Sequence, residues 1–304
     1  MTLPAMLWLP EDTPKLILQV THGMTEHMER YSSLAAVLTT QGIAVAGFDL
    51  RGHGKNSGDS GIASFGENGW EAVLEDMHLF FGELEEHFCT VPHVMLGFSL
   101  GSFLLREYLG RYPERVAGAI IMGTGYQPGL VLSVMMAVVK SQMKKAGIDG
   151  VTNLIKKLSF GVYNEKFKPN WTDFDWICSD KMQLEAYLAD PLRRENISTG
   201  LFWQMLGAMK RTCGRNAYDG WQKKMPVLLL SGEDDPVGSA GKGVQRVQEH
   251  MKKSGMCHVT MELFPAARHD ILHEEASGAA EKAREKILCW LLELIQNYKM
   301  GRNR

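Results

Sequence analysis

The chain has few cysteines, and they are poorly placed to pair. Cys89, Cys178, Cys213, Cys257 and Cys289 are odd in number, widely spaced and free of any C-x-x-C pattern. That argues against a disulfide framework or a structural zinc site, and for reduced thiols in a cytoplasmic protein. An excess of one charge is also missing: 33 Lys and Arg stand against 35 Asp and Glu, a net charge of −2. Nothing in that balance draws nucleic acid, and no such partner is expected. The longest apolar stretch, Leu130 to Val139, is interrupted by Ser133 and is too short to cross a bilayer. No basic segment leads into an apolar one ahead of Leu16, so nothing there reads as a secretory signal. Repeats and low-complexity tracts are absent too.

What is present is material for a large core. The 304 residues are 45% hydrophobic, enough for one big domain or a domain with an insertion. Eighteen methionines fit core packing or an adaptable pocket. Short apolar runs at 16–20, 43–48, 93–98 and 116–122 read as buried strands. Helical spacing fills the intervals at 31–40, 70–88 and 102–112. This alternation predicts an α/β protein with a mostly parallel central sheet covered by helices on both faces. From about Gly125 to Tyr218 it stops, leaving helical pieces and aromatic clusters. It resumes with a strand at 227–231, a helix at 243–253, a strand at 258–264 and a last helix near 275–298. The expected organisation is a core of residues 1–124 and 219–304 interrupted by a mainly helical insertion, 125–218.

Gly97-Phe98-Ser99-Leu100-Gly101 fits G-x-S-x-G, between an apolar strand and a helix. A chain that turns sharply from strand to helix and exposes a serine tolerates only small residues two places to either side. A serine hydroxyl needs a base to attack a carbonyl, and the order expected on such a sheet is Ser, acid, His, each after a later strand. The loop after 227–231 holds Asp234 and Asp235, which spacing alone does not separate. The loop after 258–264 holds His269, with His273 as its near rival. Oxyanion donors are expected from the backbone N–H of Leu100, at the helix start, and of Met24, after the strand ending near His22. His22 itself reads as structural. No metal or cofactor is called for by this chemistry.

These motifs together resemble the monoacylglycerol lipase and lysophospholipase-like branch of the α/β-hydrolase superfamily, also called serine aminopeptidase-like. Thr21-His22-Gly23-Met24-Thr25-Glu26-His27-Met28-Glu29-Arg30-Tyr31 is similar to that branch's HGxxEHxxRY signature, and Asp49-Leu50-Arg51-Gly52-His53-Gly54 to its DxRGHG loop. Phe174-Asp175-Trp176-Ile177-Cys178-Ser179-Asp180, followed by Asp190-Pro191-Leu192, resembles the cap of bacterial members. The resemblance implies an α/β-hydrolase fold with a helical cap, and an esterase using Ser99, His269 and Asp235, the last at the fourth position of G-x-x-D. It also implies that Glu26 and Arg30 shape the polar end of the pocket; their spacing of four suits an ion pair bracing the oxyanion loop equally well. The implied partner is a small ester or lipid; the apolar run Leu130–Val139 reads either as a buried helix or as a cap helix guiding acyl chains or in transient contact with lipid. A peptidase or thioesterase on the same fold is the alternative, and a catalytically silent binder the third reading. With Leu16 opening the first parallel-type strand, the antiparallel strand usual before it is expected to be missing or abbreviated. Trp171, Phe174, Trp176, Phe202 and Trp203 are candidates for lining the pocket or for core.

Overall fold

The computed structural model describes residues 3–58, 60–113 and 115–302. Seven strands form one sheet in the order β1-β3-β2-β5-β6-β8-β9. They are β1 (Ala5–Trp8), β2 (Leu16–Thr21), β3 (Ile43–Phe48), β5 (His93–Phe98), β6 (Gly118–Met122), β8 (Val227–Gly232) and β9 (Val259–Phe264). All neighbours are parallel except β1, which runs antiparallel to β3. The antiparallel strand is thus abbreviated to four residues rather than lost.

Every residue of β2, β3, β5, β6 and β8 is buried, as a parallel sheet covered on both faces requires. One face packs on α1 (Ser32–Thr39) and α10 (Ala279–Arg302), through Leu34, Leu38, Ile287 and Leu291. The other packs on α2 (Gly69–His87), α3 (Leu100–Arg111) and α9 (Lys242–Lys253), through Met77, Phe81, Leu105 and Val247. The order turns back between β2 and β5, which pair with Thr21 opposite Gly97. Loops diverge at the carboxyl ends of the strands at such a turning point, and a crevice opens there.

Between β6 and β8 the chain is mainly helical. α4 (Gly129–Ala146) packs on α8 (Thr199–Thr212). α5 (Asn153–Lys156) and α6 (Val162–Asn164) flank a π-helical turn at Lys157–Gly161, and α7 (Lys181–Ala189) follows. Two-residue strands, β4 (Ile62–Ala63) and β7 (Asn196–Ile197), pair outside the main sheet. They are too short for a two-residue periodicity to appear in sequence. In α4, Leu132 and Val139 are buried, while Leu130, Val131, Val134 and Val138 form an exposed apolar row. Among the described residues no helix is long and apolar enough to cross a membrane.

Arg106, on α3, is only 1% exposed. Its guanidinium donates to Thr124 Oγ1 (3.1 Å) and the Gly125 carbonyl (3.2 Å), where the chain leaves β6. It donates also to the Thr212 carbonyl and the Tyr218 hydroxyl, both at 2.6 Å, where the chain returns.

Candidate active site

Ser99 sits between β5 and α3 with φ 50° and ψ −114°, a conformation a non-glycine residue adopts only at a cost of about 1–3 kcal/mol. Its neighbours explain how it is held. A Cβ on Gly97 would lie 2.4 Å from the Gly101 carbonyl oxygen, and one on Gly101 would lie 2.1 Å from that of Thr21. The Ser99 N–H donates to the Met122 carbonyl at 3.0 Å.

The loops after β8 and β9 lock together. A Cβ on Gly232 would stand 2.1 Å from the Ala267 carbonyl oxygen, and the Asp234 N–H donates to that same carbonyl at 2.9 Å. This contact sets Asp235 beside His269. His269 Nδ1 is 3.0 Å from Asp235 Oδ1, and His269 Nε2 is 2.8 Å from Ser99 Oγ. A carboxylate only accepts, so Nδ1 carries the proton and Nε2 is free to accept from the serine. Asp235 is fully buried and also accepts the Val237 N–H (2.8 Å) and, more weakly, the Ser231 hydroxyl (3.3 Å). Asp234 instead faces solvent and pairs with Lys166 at 3.0 Å. The side chains of Phe98 and Trp176 flank the imidazole, with ring centroids 4.9 and 5.0 Å away. Burial, with the nearby Asp235 charge, pushes the Tyr163 hydroxyl up to about 12, so it stays protonated.

Leu100 opens α3, so its N–H has no intrahelical acceptor. The Met24 N–H has no hydrogen-bond acceptor among the described residues. His22 accepts the Leu50 N–H on Nε2 (2.9 Å) and donates from Nδ1 to the Gly23 carbonyl (2.7 Å). Both nitrogens are occupied, and burial lowers its pKa against the pull of Glu26 and Asp49. It therefore has no lone pair to act as a base.

Glu26 and Arg30 do different things. Glu26 Oε1 accepts the Gly23 N–H (2.6 Å) and the Tyr31 hydroxyl (2.8 Å), while Oε2 takes Arg30 Nε (3.1 Å). Arg30 Nη2 reaches Asp270 Oδ2 at 2.6 Å. Glu26 touches the cavity above Ser99, but Arg30 does not line it. The pair braces the loop after β2, and Glu26 alone also faces the pocket. His273 bonds Asp270 at 2.9 Å and so stands apart from Ser99. Burial would raise the Asp270 carboxyl, but His273 and Arg30 outweigh it and hold it well below the usual carboxylate range.

The cavity over Ser99 measures about 30 Å³, room for little more than a water or two. Phe160, Trp176, Ile177 and Tyr187 from the insertion close it. Of the expected aromatics only Trp176 lines it; Phe202 is buried in the core and Trp171 is exposed. Phe160 and Tyr187 had no periodicity in sequence to mark them. Among the described residues no group of three or more His, Cys, Asp or Glu could hold a metal ion.

A family model described as "Serine aminopeptidase, S33" matches residues 12–276. An uncharacterised abhydrolase domain-containing protein of Dictyostelium discoideum is 27% identical over 304 residues, 98% of this chain; the chain spans only 28% of that relative's length. The monoacylglycerol lipase of Mycolicibacterium smegmatis is 24% identical over 274 residues, 88% of this chain and 86% of that protein. A thermostable carboxyl esterase from Bacillus coagulans, solved in complex with glycerol, superimposes with a TM-score of 0.88 at 26% identity, covering 96% of this chain and 94% of that one.

Proposed function

The chain belongs to the serine aminopeptidase S33 family, and from that premise we propose that it hydrolyses carboxylic esters of the monoacylglycerol or lysophospholipid kind through an acyl-enzyme on Ser99. The observation that carries this reading is the 2.8 Å hydrogen bond from Ser99 Oγ to His269 Nε2, with Asp235 behind it. The M. smegmatis lipase and the B. coagulans esterase support an ester over an amide substrate.

Ser99 Oγ attacks the ester carbonyl carbon while its proton passes to His269 Nε2. The carbonyl π pair moves onto oxygen, where the Met24 and Leu100 N–H groups stabilise it. Collapse restores the carbonyl, breaks the bond to the alcohol oxygen and hands the His269 proton to that oxygen. Water then attacks the acyl-enzyme, giving a proton to His269. That proton returns to Ser99 Oγ as the carboxylic acid leaves. Asp235 stays a carboxylate throughout, orienting the imidazole and stabilising its cation.

Residues 125–218 act as a cap over this site, and the exposed row Leu130, Val131, Val134 and Val138 would rest transiently on a lipid interface. The five unpaired thiols support a reducing compartment, the cytoplasm. A paired panel of p-nitrophenyl esters and aminoacyl arylamides tests the reaction class. Esters should turn over at least a hundredfold faster; the reverse order would make the protein a peptidase. A silent binder would leave Ser99 unlabelled by a fluorophosphonate.

A further inference from the structure

The cavity over Ser99, about 30 Å³, is too small for a whole lipid ester, so one wall must move for such a substrate to bind. Most walls cannot move alone. The Trp176 and Ile177 carbonyls accept the N–H groups of His269 (3.4 Å) and Asp270 (2.8 Å). Just beyond them, Ser179 gives both its N–H and its hydroxyl to the fully buried Glu274, and Arg268 reaches the Asp175 carbonyl. Tyr187 shares a 2.8 Å hydrogen bond with Thr25. Displacing any of these drags the His269 loop or the oxyanion loop with it. Phe160 is different. It is held by ring contacts with Phe174 (5.6 Å) and Trp176 (6.0 Å), on the π-helical turn Lys157–Gly161. Single π-helical turns interrupt regular winding and recur where function needs it.

Among the described residues, Phe160 alone lines both this cavity and a second cleft of about 540 Å³ in the insertion. That size suits a small-molecule moiety. Its lining mixes apolar surface with polar groups: beside Phe160, Gly161 and Phe174 stand four asparagines and three cationic side chains balanced by three anionic ones. Such a wall offers donors and acceptors together and no net field to select an ion. Exposed Asn153, Lys157, Asn170 and Asp173 lie along it, with Arg193 stacked on Phe174 at 5.3 Å.

We propose that this cleft is the subsite for a neutral, hydroxyl-rich alcohol portion of the substrate, so that esters of polyols larger than glycerol are taken besides the glycerol esters proposed above, and that Phe160 swings aside to join it to Ser99. The proposal rests on Ser99 being the nucleophile. Two measurements test it. The ratio of kcat/KM for 6-O-butyrylglucose to that for ethyl butyrate should exceed 10 in the native protein. It should fall at least threefold in Asn170→Ala and in Asp173→Ala, both at exposed positions. Phe160→Ala should raise at least threefold the rate at which a fluorophosphonate with a glucose-sized tail labels Ser99, relative to a compact fluorophosphonate. A native ratio of 10 or less, or a change under threefold in any of these variants with circular dichroism intact, overturns the subsite. No labelling by the compact probe in the native protein would instead show that the Ser99 reading itself had failed.

Discussion

The Gly23 backbone N–H donates to Glu26 Oε1 at 2.6 Å. Two consecutive N–H groups lie in the loop after β2, and this bond consumes the first, leaving that of Met24 unpaired among the described residues, as the proposed oxyanion donor requires. Replacing the carboxylate should loosen that choice. Glu26→Gln removes one charge-assisted acceptor from Gly23, Tyr31 and Arg30. We expect kcat on p-nitrophenyl butyrate to fall roughly tenfold, since the affected interaction acts in the transition state. Steady-state kinetics check this: an unchanged kcat would mean the loop holds its shape without the carboxylate.

Ser99→Ala should lower kcat by about 10⁴-fold or more and leave the unfolding midpoint no lower. The substitution neither relieves nor adds strain at φ 50°, since alanine suffers the same strain in the same turn. Turnover within tenfold of native, measured on protein freed of contaminating esterase, would remove Ser99 from the reaction.

Asp235→Asn and Asp234→Asn form a matched pair. The first supplies an amide where His269 Nδ1–H needs an acceptor, and the imidazole can then turn or take the wrong tautomer; a loss near 10⁴-fold in kcat is expected. The second removes only a surface contact with Lys166 and should change kcat less than twofold. Equal losses in the two would contradict the assignment.

His93 opens β5 at the opposite end of the strand from Ser99, stacked on Phe81 at 3.9 Å with neither ring nitrogen bonded to a described residue. Burial, helped by Arg115, lowers its pKa to about 3. The unfolded chain takes up a proton near pH 6.5 while the folded one refuses it until about pH 3. Stability is therefore retained above about pH 6.5 and lost as pH falls, by about 1.4 kcal/mol per unit from this one group. His93→Leu should remove that slope. Urea unfolding at pH 7.5 and 5.0 should show the variant gaining on the native protein by about 2 kcal/mol at the lower pH. A pH-independent difference would mean that His93 is not buried neutral.

Sequence resolved the parts of the molecule governed by local rules. The strand at residues 93–98 is legible in sequence because the apolar run from Val94 to Phe98 ends at Ser99, where the chain turns. Periodicity alone starts α3 at Ser102 rather than Leu100, since the first turn of a helix after a strained residue carries no periodic signal. The choice between Asp234 and Asp235 came from resemblance, whereas the structure separates them by burial: one faces water and the other none. The closure over Ser99 was not legible. It depends on Phe160, Ile177 and Tyr187, which come from three segments with no shared pattern, and on carbonyls of Trp176 and Ile177 that any residue could supply. The lacing through Glu274 and Arg268 joins residues about ninety positions apart and leaves no trace in either stretch alone.

The Arg106 guanidinium has a consequence of its own for how such a chain can change. The insertion leaves and rejoins the core within reach of one side chain, which receives Gly125 from one end and Thr212 and Tyr218 from the other. A loop anchored at a single knot pays for closure once, and each doubling of its length then adds only about 0.6 kcal/mol. The span between the two anchors can therefore lengthen, shorten or be exchanged as a cassette. Arg106 projects from the helix that starts beside Ser99, so the same rivet that frees the insertion to vary keeps each new version in register with the serine.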